Sequence, residues 1–109
     1  MARQAVNTAS EKLASNIVLL DMRDKNRFAD FFVICNADTS RQIQAIREEI
    51  QQALKAVGVF PHHEEGTADS GWILLDYNGV VVHIFSNTLR DFYQLDKLWE
   101  DASTLVRIQ

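Results

Sequence analysis

The chain has 109 residues, 47% of them hydrophobic and 24% charged, with one proline, four glycines and a formal net charge of −4. That is enough apolar material for a single domain over residues 1–109 with one core. It excludes a long linker and a membrane helix of roughly 20 apolar residues. It also argues against a protein that grips nucleic acid broadly through massed Lys and Arg. The one cysteine, Cys35, cannot form an internal disulfide, and inside Phe31-Phe32-Val33-Ile34-Cys35 it reads as a core residue of a reducing compartment. Met1-Ala2-Arg3-Gln4 lacks the basic-then-apolar pattern of a signal peptide, so a cytoplasmic protein is expected.

Ala2, Val6, Ala9 and Leu13 recur at helical spacing and predict an opening amphipathic helix. Ile17-Val18-Leu19-Leu20 is short and apolar throughout, as suits a strand buried on both faces. The polar turn after it holds Arg23, Lys25 and Arg27 beside Asp24, which reads as a solvated loop or as a small contact for a phosphate backbone. Phe28 to Cys35 predicts a second strand. Thr39 followed three residues later by Gln42 has the form of a capping box. Ile43, Ile46, Ile50, Leu54 and Val57 then mark a helix, with Gly58 placed as its C-terminal glycine. Phe60 to Ser70 reads as a polar loop.

Gly71 to Phe85 has the pattern of a β-hairpin, two apolar runs joined at Asn78-Gly79, which suits a type I′ turn. In that register Tyr77 faces Val80 and Trp72 faces Phe85. Side chains alternate between sheet faces. Ile73, Leu75, Tyr77, Val80, Val82 and Ile84 then form a core face. The other face carries Trp72, Leu74, Asp76, Val81, His83 and Phe85, and its Trp, His and carboxylate make it the candidate for function. From Thr88 to Ala102 the pattern predicts a helix with Leu89, Phe92, Leu95, Leu98, Trp99 and Ala102 on one stripe. At about 100° per residue, Arg90 and Tyr93 fall off that stripe. Thr104 to Ile108 suits a short terminal strand. The predicted order is αββαββα, an α/β domain around a small mixed sheet.

Catalytic and metal signatures are mostly missing. His62-His63-Glu64-Glu65 places its two histidines side by side, whereas a zinc-binding helix spaces them four apart, so a solvated loop is expected. His83 has the chemistry of a partner contact or an acid–base group and shares its face with Asp76. There is no Gly-rich phosphate loop and no G-x-S-x-G elbow. Asp21, Asp30 and Asp76 lack the Gly-Ser turn and paired acids of metal-dependent nucleotidyl transfer. A binding module without metal or cofactor is therefore expected in place of an enzyme. Trp72, Tyr93 and Arg90 are of the residue types that dominate interface hot spots, with Arg90 expected as a rim charge.

The runs Ala29-Asp30-Phe31-Phe32-Val33-Ile34, Thr39-Ser40-Arg41-Gln42, Glu65-Gly66, Trp72 to Tyr77, Val80 to Phe85, Arg90-x-Phe92-Tyr93-x-Leu95 and Leu98-Trp99-x-Asp101-Ala102 occur in one order and spacing. Together, from Leu13 to Ala102, they resemble the ribosomal silencing factor family, also called Iojap. The resemblance implies a nucleotidyltransferase-like fold without its catalytic acids. It implies binding to the large ribosomal subunit at its fourteenth protein, on the face where the small subunit docks, which lowers translation when nutrients are scarce. It also implies a homodimer, with a minor contact to ribosomal RNA left open. The family's partner-binding positions fall on Trp72, Tyr77 and Tyr93. Asn36-Ala37-Asp38, Asn78-Gly79 and Ser86-Asn87-Thr88 depart from the family's usual residues. Two other readings stand beside it: a dimeric scaffold for another protein, and a nucleotide-binding or nucleotidyl-transferring enzyme.

Overall fold

Residues 1–25 and 29–109 are described by a computed structural model. The elements are α1 (Ala2–Glu11), β1 (Ser15–Asp21), β2 (Phe31–Ala37), α2 (Ser40–Lys55), β3 (His63–Thr67), β4 (Trp72–Asp76), β5 (Val80–Ser86), α3 (Asn87–Tyr93), α4 (Leu95–Leu98) and β6 (Ser103–Ile108). The strands form one mixed sheet in the order β3-β4-β5-β2-β1-β6. Among the described residues only the central pair, β2 and β5, runs parallel, joined through α2 and the β3–β4 excursion.

Helices cover both faces. α1 and α2 bury Ala5, Val6, Ala9, Ile43, Ile46, Ile50 and Leu54 against Ile17, Leu19, Val33, Cys35, Ile73, Leu75, Val82 and Ile84. Each of these Val, Ile and Leu side chains contributes about 1.5–3 kcal/mol on burial, and truncating Ile46 to Ala would cost about 2–5 kcal/mol. On the opposite face α3 and α4 bring Leu89 and Leu95, with Trp99, onto Val18, Leu20, Phe32, Ile34, Val81 and Phe85. β1 and β2 are buried on both faces, as their unbroken apolar runs predict. Burial pushes the Cys35 thiol up to about 12, which suits its place in the core.

α2 has the end residues its sequence predicts, but it stops at Lys55, so Val57, counted on its apolar stripe, lies beyond the helix and is exposed. Thr39 Oγ1 accepts from the Gln42 N–H at 3.1 Å. At the other end Gly58 takes φ +82°, the Val59 N–H bonds to the Leu54 carbonyl and the Gly58 N–H to Lys55, a Schellman closure. The hairpin register also holds, with Trp72 opposite Phe85 and Leu74 opposite His83.

The turn between β4 and β5 differs from the predicted type I′. Asn78 takes φ +65°, but Gly79 does not have the positive φ that the type requires. The Gly79 carbonyl accepts from the N–H groups of Asp30 and Phe31, which ties the turn to the start of β2, while Asp76 Oδ1 accepts from the Asn78 N–H.

Three further expectations are corrected. Leu13 lies beyond α1, exposed and at φ +62°, because the helix ends two residues earlier. The stretch read as a loop over Phe60 to Ser70 contains edge strand β3, which buries almost nothing and so leaves no apolar alternation in the sequence. The single helix over Thr88 to Ala102 is two helices, broken at Gln94, which takes φ +49°. Phe92 and Leu98, placed on its buried stripe, are exposed. The second strand begins at Phe31; the Phe28 start predicted for it lies outside the described residues.

Candidate interaction face and its supports

One aromatic patch forms on the α3–α4 side of the sheet. Trp72 opens β4 and Phe85 stands opposite it on β5, so both rings point to this face. Ser86 caps α3, its Oγ accepting from the Leu89 N–H at 3.2 Å, so the helix starts where β5 ends. Two turns later the helix delivers Tyr93 onto Trp72, with ring centroids 4.8 Å apart. The Trp72 and Phe85 centroids are also 4.8 Å apart. Phe85 is fully buried, Trp72 partly so, and Tyr93 is 45% exposed, which makes a stack rising from core to solvent. Phe92 meets Tyr93 edge-on at 5.0 Å and is itself 76% exposed. A cleft of ≈ 340 Å³ runs beside the stack, lined by Trp72, Leu74, Leu89 and Tyr93 together with Glu65, Gly66 and Ser70.

His83 sits beneath this surface, buried, and supports it. The Trp72 Nε1–H donates to His83 Nδ1 at 3.2 Å. An indole can only donate, so Nδ1 accepts and the imidazole proton resides on Nε2. Phe32 and Phe85 pack against the ring. Desolvation in this apolar setting pushes the His83 pKa down to about 4, so the ring is neutral at pH 7. The role read for it from sequence, a partner contact or an acid–base group beside Asp76, does not fit this position. Asp76 instead holds the Asn78 N–H.

Tyr77 and Arg90 also lie apart from the patch. Tyr77 is on the α2 side of the sheet and 5% exposed, so Trp72 and Tyr77 share no surface. Desolvation first, and then the Glu64 carboxylate, push its hydroxyl up to about 12. Arg90, expected as an exposed rim charge, is 8% exposed, because its Nη1 donates to the Asn16 carbonyl at 2.9 Å and to Asn36 Oδ1 at 3.0 Å. It locks α3 to the ends of β1 and β2. Phe92 is the surface residue that sequence reasoning missed. Its apolar character assigned it to the core stripe, but α3 turns Leu89 and Arg90 inward and leaves Phe92 outside.

The charged segments find partners within the chain. Glu64 turns toward α2, where Arg47 donates to both its oxygens at 2.6 and 3.0 Å and Gln51 adds a third bond at 2.8 Å. His63 Nε2 lies 3.0 Å from Glu65 Oε1. Among the described residues no cluster of three His, Cys, Asp or Glu could hold a metal. In the basic turn, Arg23 grips Asp21 through two bonds of 2.9 and 2.6 Å, which holds the Asp21 carboxyl below its ordinary value. Arg27 lies outside the described residues. What the face offers is a partly exposed aromatic surface laid over buried Phe85 and His83.

The family model described as "Ribosomal silencing factor during starvation" matches residues 1–109. The ribosomal silencing factor RsfS of Halalkalibacterium halodurans is 39% identical over 101 residues, covering 93% of this chain and 86% of that protein. A crystal structure of a protein from Chromobacterium violaceum superposes with a TM-score of 0.85 at 27% identity, over 95% of this chain and 88% of that one. A second, from Bacillus halodurans, gives 0.82 at 35% identity over 95% and 94%.

Proposed function

The chain belongs to the ribosomal silencing factor family, and from that premise we propose that it represses translation by occupying the large ribosomal subunit. It binds chiefly the subunit's fourteenth protein and so keeps the small subunit from joining when nutrients are scarce. The observation that supports this reading is the Trp72–Tyr93 stack with Phe92 beside it, an aromatic surface that reaches solvent and is braced from below by Phe85 and His83. Aromatic anchors on a fixed base are what protein interfaces use as hot spots, because little side-chain entropy is lost on docking. The work is done in the cytoplasm, by binding and without turnover.

The test is capture of large subunits from lysate by the tagged chain at near-physiological salt, followed by a joining assay with purified subunits. Added protein is expected to reduce formation of whole ribosomes. Failure to retain large subunits would remove the reading and leave a scaffold for another protein.

The reading includes self-association. β6 leaves one long edge of the sheet unpaired, with Leu105 exposed along it. Sedimentation at micromolar concentration is expected to give more than the 12.4 kDa monomer. A single monomeric species across the range would remove that part.

A further inference from the structure

The turn between β4 and β5 holds the one asparagine of the chain that is followed by glycine, Asn78 before Gly79. Asn78 is exposed, and the turn lies at the opposite end of both strands from Trp72 and Phe85. Its own N–H is taken up by Asp76 Oδ1 at 2.8 Å. Among the described residues, neither the Asn78 side-chain amide nor the Gly79 N–H makes a hydrogen bond.

We propose that Asn78 is a site of spontaneous covalent modification, where the side-chain amide is lost and aspartate and isoaspartate are formed. The Gly79 amide nitrogen gives its proton to solvent base and attacks Asn78 Cγ. A bond forms from Cγ to that nitrogen while the bond from Cγ to Nδ2 breaks. Ammonia leaves, carrying a proton taken from water, and a cyclic imide remains. Water then adds to either imide carbonyl and opens the ring, giving aspartate or an isoaspartate whose main chain runs through Cβ and Cγ. Water is the only co-reactant, and nothing is oxidised or reduced. Gly79 admits the ring because it has no Cβ to crowd the nitrogen or restrict the backbone.

The other described asparagines are held back by their surroundings. Asn7 lies inside α1, where the helix ladder engages the N–H that follows it. Asn16 precedes Ile17, which is β-branched and fully buried. Asn36 is buried and donates to Asn87 Oδ1, and Asn87 in turn donates to Asp38 Oδ1, so both of these amides are engaged. Asn78 alone among them joins an exposed, unbonded amide to a glycine neighbour.

The modification bears on the fold through Gly79. Its carbonyl accepts from the N–H groups of Asp30 and Phe31 at 2.7 and 3.0 Å, which ties the hairpin to the start of β2. An isoaspartate lengthens the main chain by one carbon just ahead of Gly79 and so displaces that carbonyl. It also adds a carboxylate to a turn that already holds Asp76, with Asp30 Oδ2 only 3.6 Å from where a Cβ on Gly79 would stand. The modified chain is therefore less stable than the native one.

The full chain is held in mildly alkaline buffer and sampled over days by peptide mapping, with isoaspartate read by enzymatic methylation. Amide loss at Asn78 ahead of every other asparagine is expected, with isoaspartate in the same peptide and a rate that rises with pH. Gly79→Ala should slow the loss roughly tenfold or more. That substitution suits the turn, since its Cβ would meet nothing closer than Asp30 Oδ2 at 3.6 Å. The urea midpoint of wild type should fall as conversion proceeds, while that of Gly79→Ala aged alongside stays constant. Amide loss led by another asparagine, or equal rates in wild type and Gly79→Ala, overturns the site. An unchanged midpoint in converted protein overturns its effect on the fold. The wild-type map decides the site by itself should Gly79→Ala melt early. No arm involves the large subunit, so failure of the ribosomal reading leaves this site standing.

Discussion

Trp72 Nε1 and His83 Nδ1 lie 3.2 Å apart, and through that bond a buried, neutral imidazole sets the tilt of the indole on which Tyr93 rests. The bond exists only while His83 is neutral, since a protonated ring has no acceptor to offer the indole. The aromatic surface is thereby tied to a titration in the core.

That coupling predicts acid sensitivity. The folded pKa of His83 is about 4 against 6.5 when unfolded, so the unfolded chain takes up the proton first. The full contribution is present above pH 6.5 and is lost progressively as pH falls toward 4. At about 1.4 kcal/mol per unit of pKa difference the loss is roughly 3 kcal/mol. Urea unfolding at a series of pH values should show this slope in wild type and lose most of it in His83→Gln, which is less stable at pH 7 but flatter below it.

Tyr93→Ala should fold normally, because the ring is nearly half exposed and closes no part of the core. Its binding to large subunits should weaken by roughly 2 kcal/mol, about thirtyfold. Phe92→Ala, which sequence periodicity would have counted as core damage, should likewise leave the melting temperature nearly unchanged while reducing binding. A folded Tyr93→Ala protein that blocks subunit joining as well as wild type would remove Tyr93 from the contact.

Arg90→Ala is expected to act on stability. It strips charge-assisted hydrogen bonds from Asn36 Oδ1 and from the Asn16 carbonyl at a nearly dry site, a loss of about 1.5–3 kcal/mol per such bond. Thermal melting decides this, and a melting temperature equal to wild type would contradict the anchoring role.

Gly66 and Gly58 offer a matched comparison, since both take φ near +80°. A Cβ on Gly66 would stand 1.9 Å from the Trp72 carbonyl oxygen, whereas one on Gly58 meets nothing within 4 Å. Gly58→Ala should cost only the backbone strain, about 1 kcal/mol. Gly66→Ala should cost more and shift Trp72, seen as a change in tryptophan fluorescence together with weaker large-subunit binding.

The elements that bury a regular apolar pattern were legible from sequence. The two-residue turn at Asn78-Gly79 sets the register of Trp72 against Phe85, and the caps at Thr39 and Gly58 follow from local hydrogen-bond chemistry. β3 was not legible, because His63-Glu64-Glu65-Gly66-Thr67 pairs on one side only and hides little surface. Gln94 was not legible either: glutamine favours helices, and nothing local marks it for a left-handed turn. The error over Leu98 follows from that one residue, whereas Phe92 is exposed on α3 itself, ahead of the break. Arg90 was misjudged for another reason, since its partners Asn16 and Asn36 lie 74 and 54 residues away and no local pattern foretells them. For Tyr77 the alternation already placed it opposite Trp72, and its burial under α2 agrees with that pattern.

The clasp of Arg47 and Gln51 on Glu64 also bears on how copies of the chain can add to one another. It pulls β3 toward α2 and leaves a border of His63, Glu65 and the left-handed Gly66, a border that repels an incoming strand. The far border, β6, carries Leu105, Val106 and Ile108, with Arg107 as its one charged side chain. Two chains that met β6 to β6 about a twofold axis would each have spent their one adhesive margin and would present only guarded ones outward. Growth along the sheet would then stop at two, and the asymmetry that would allow a pair would oppose a fibre.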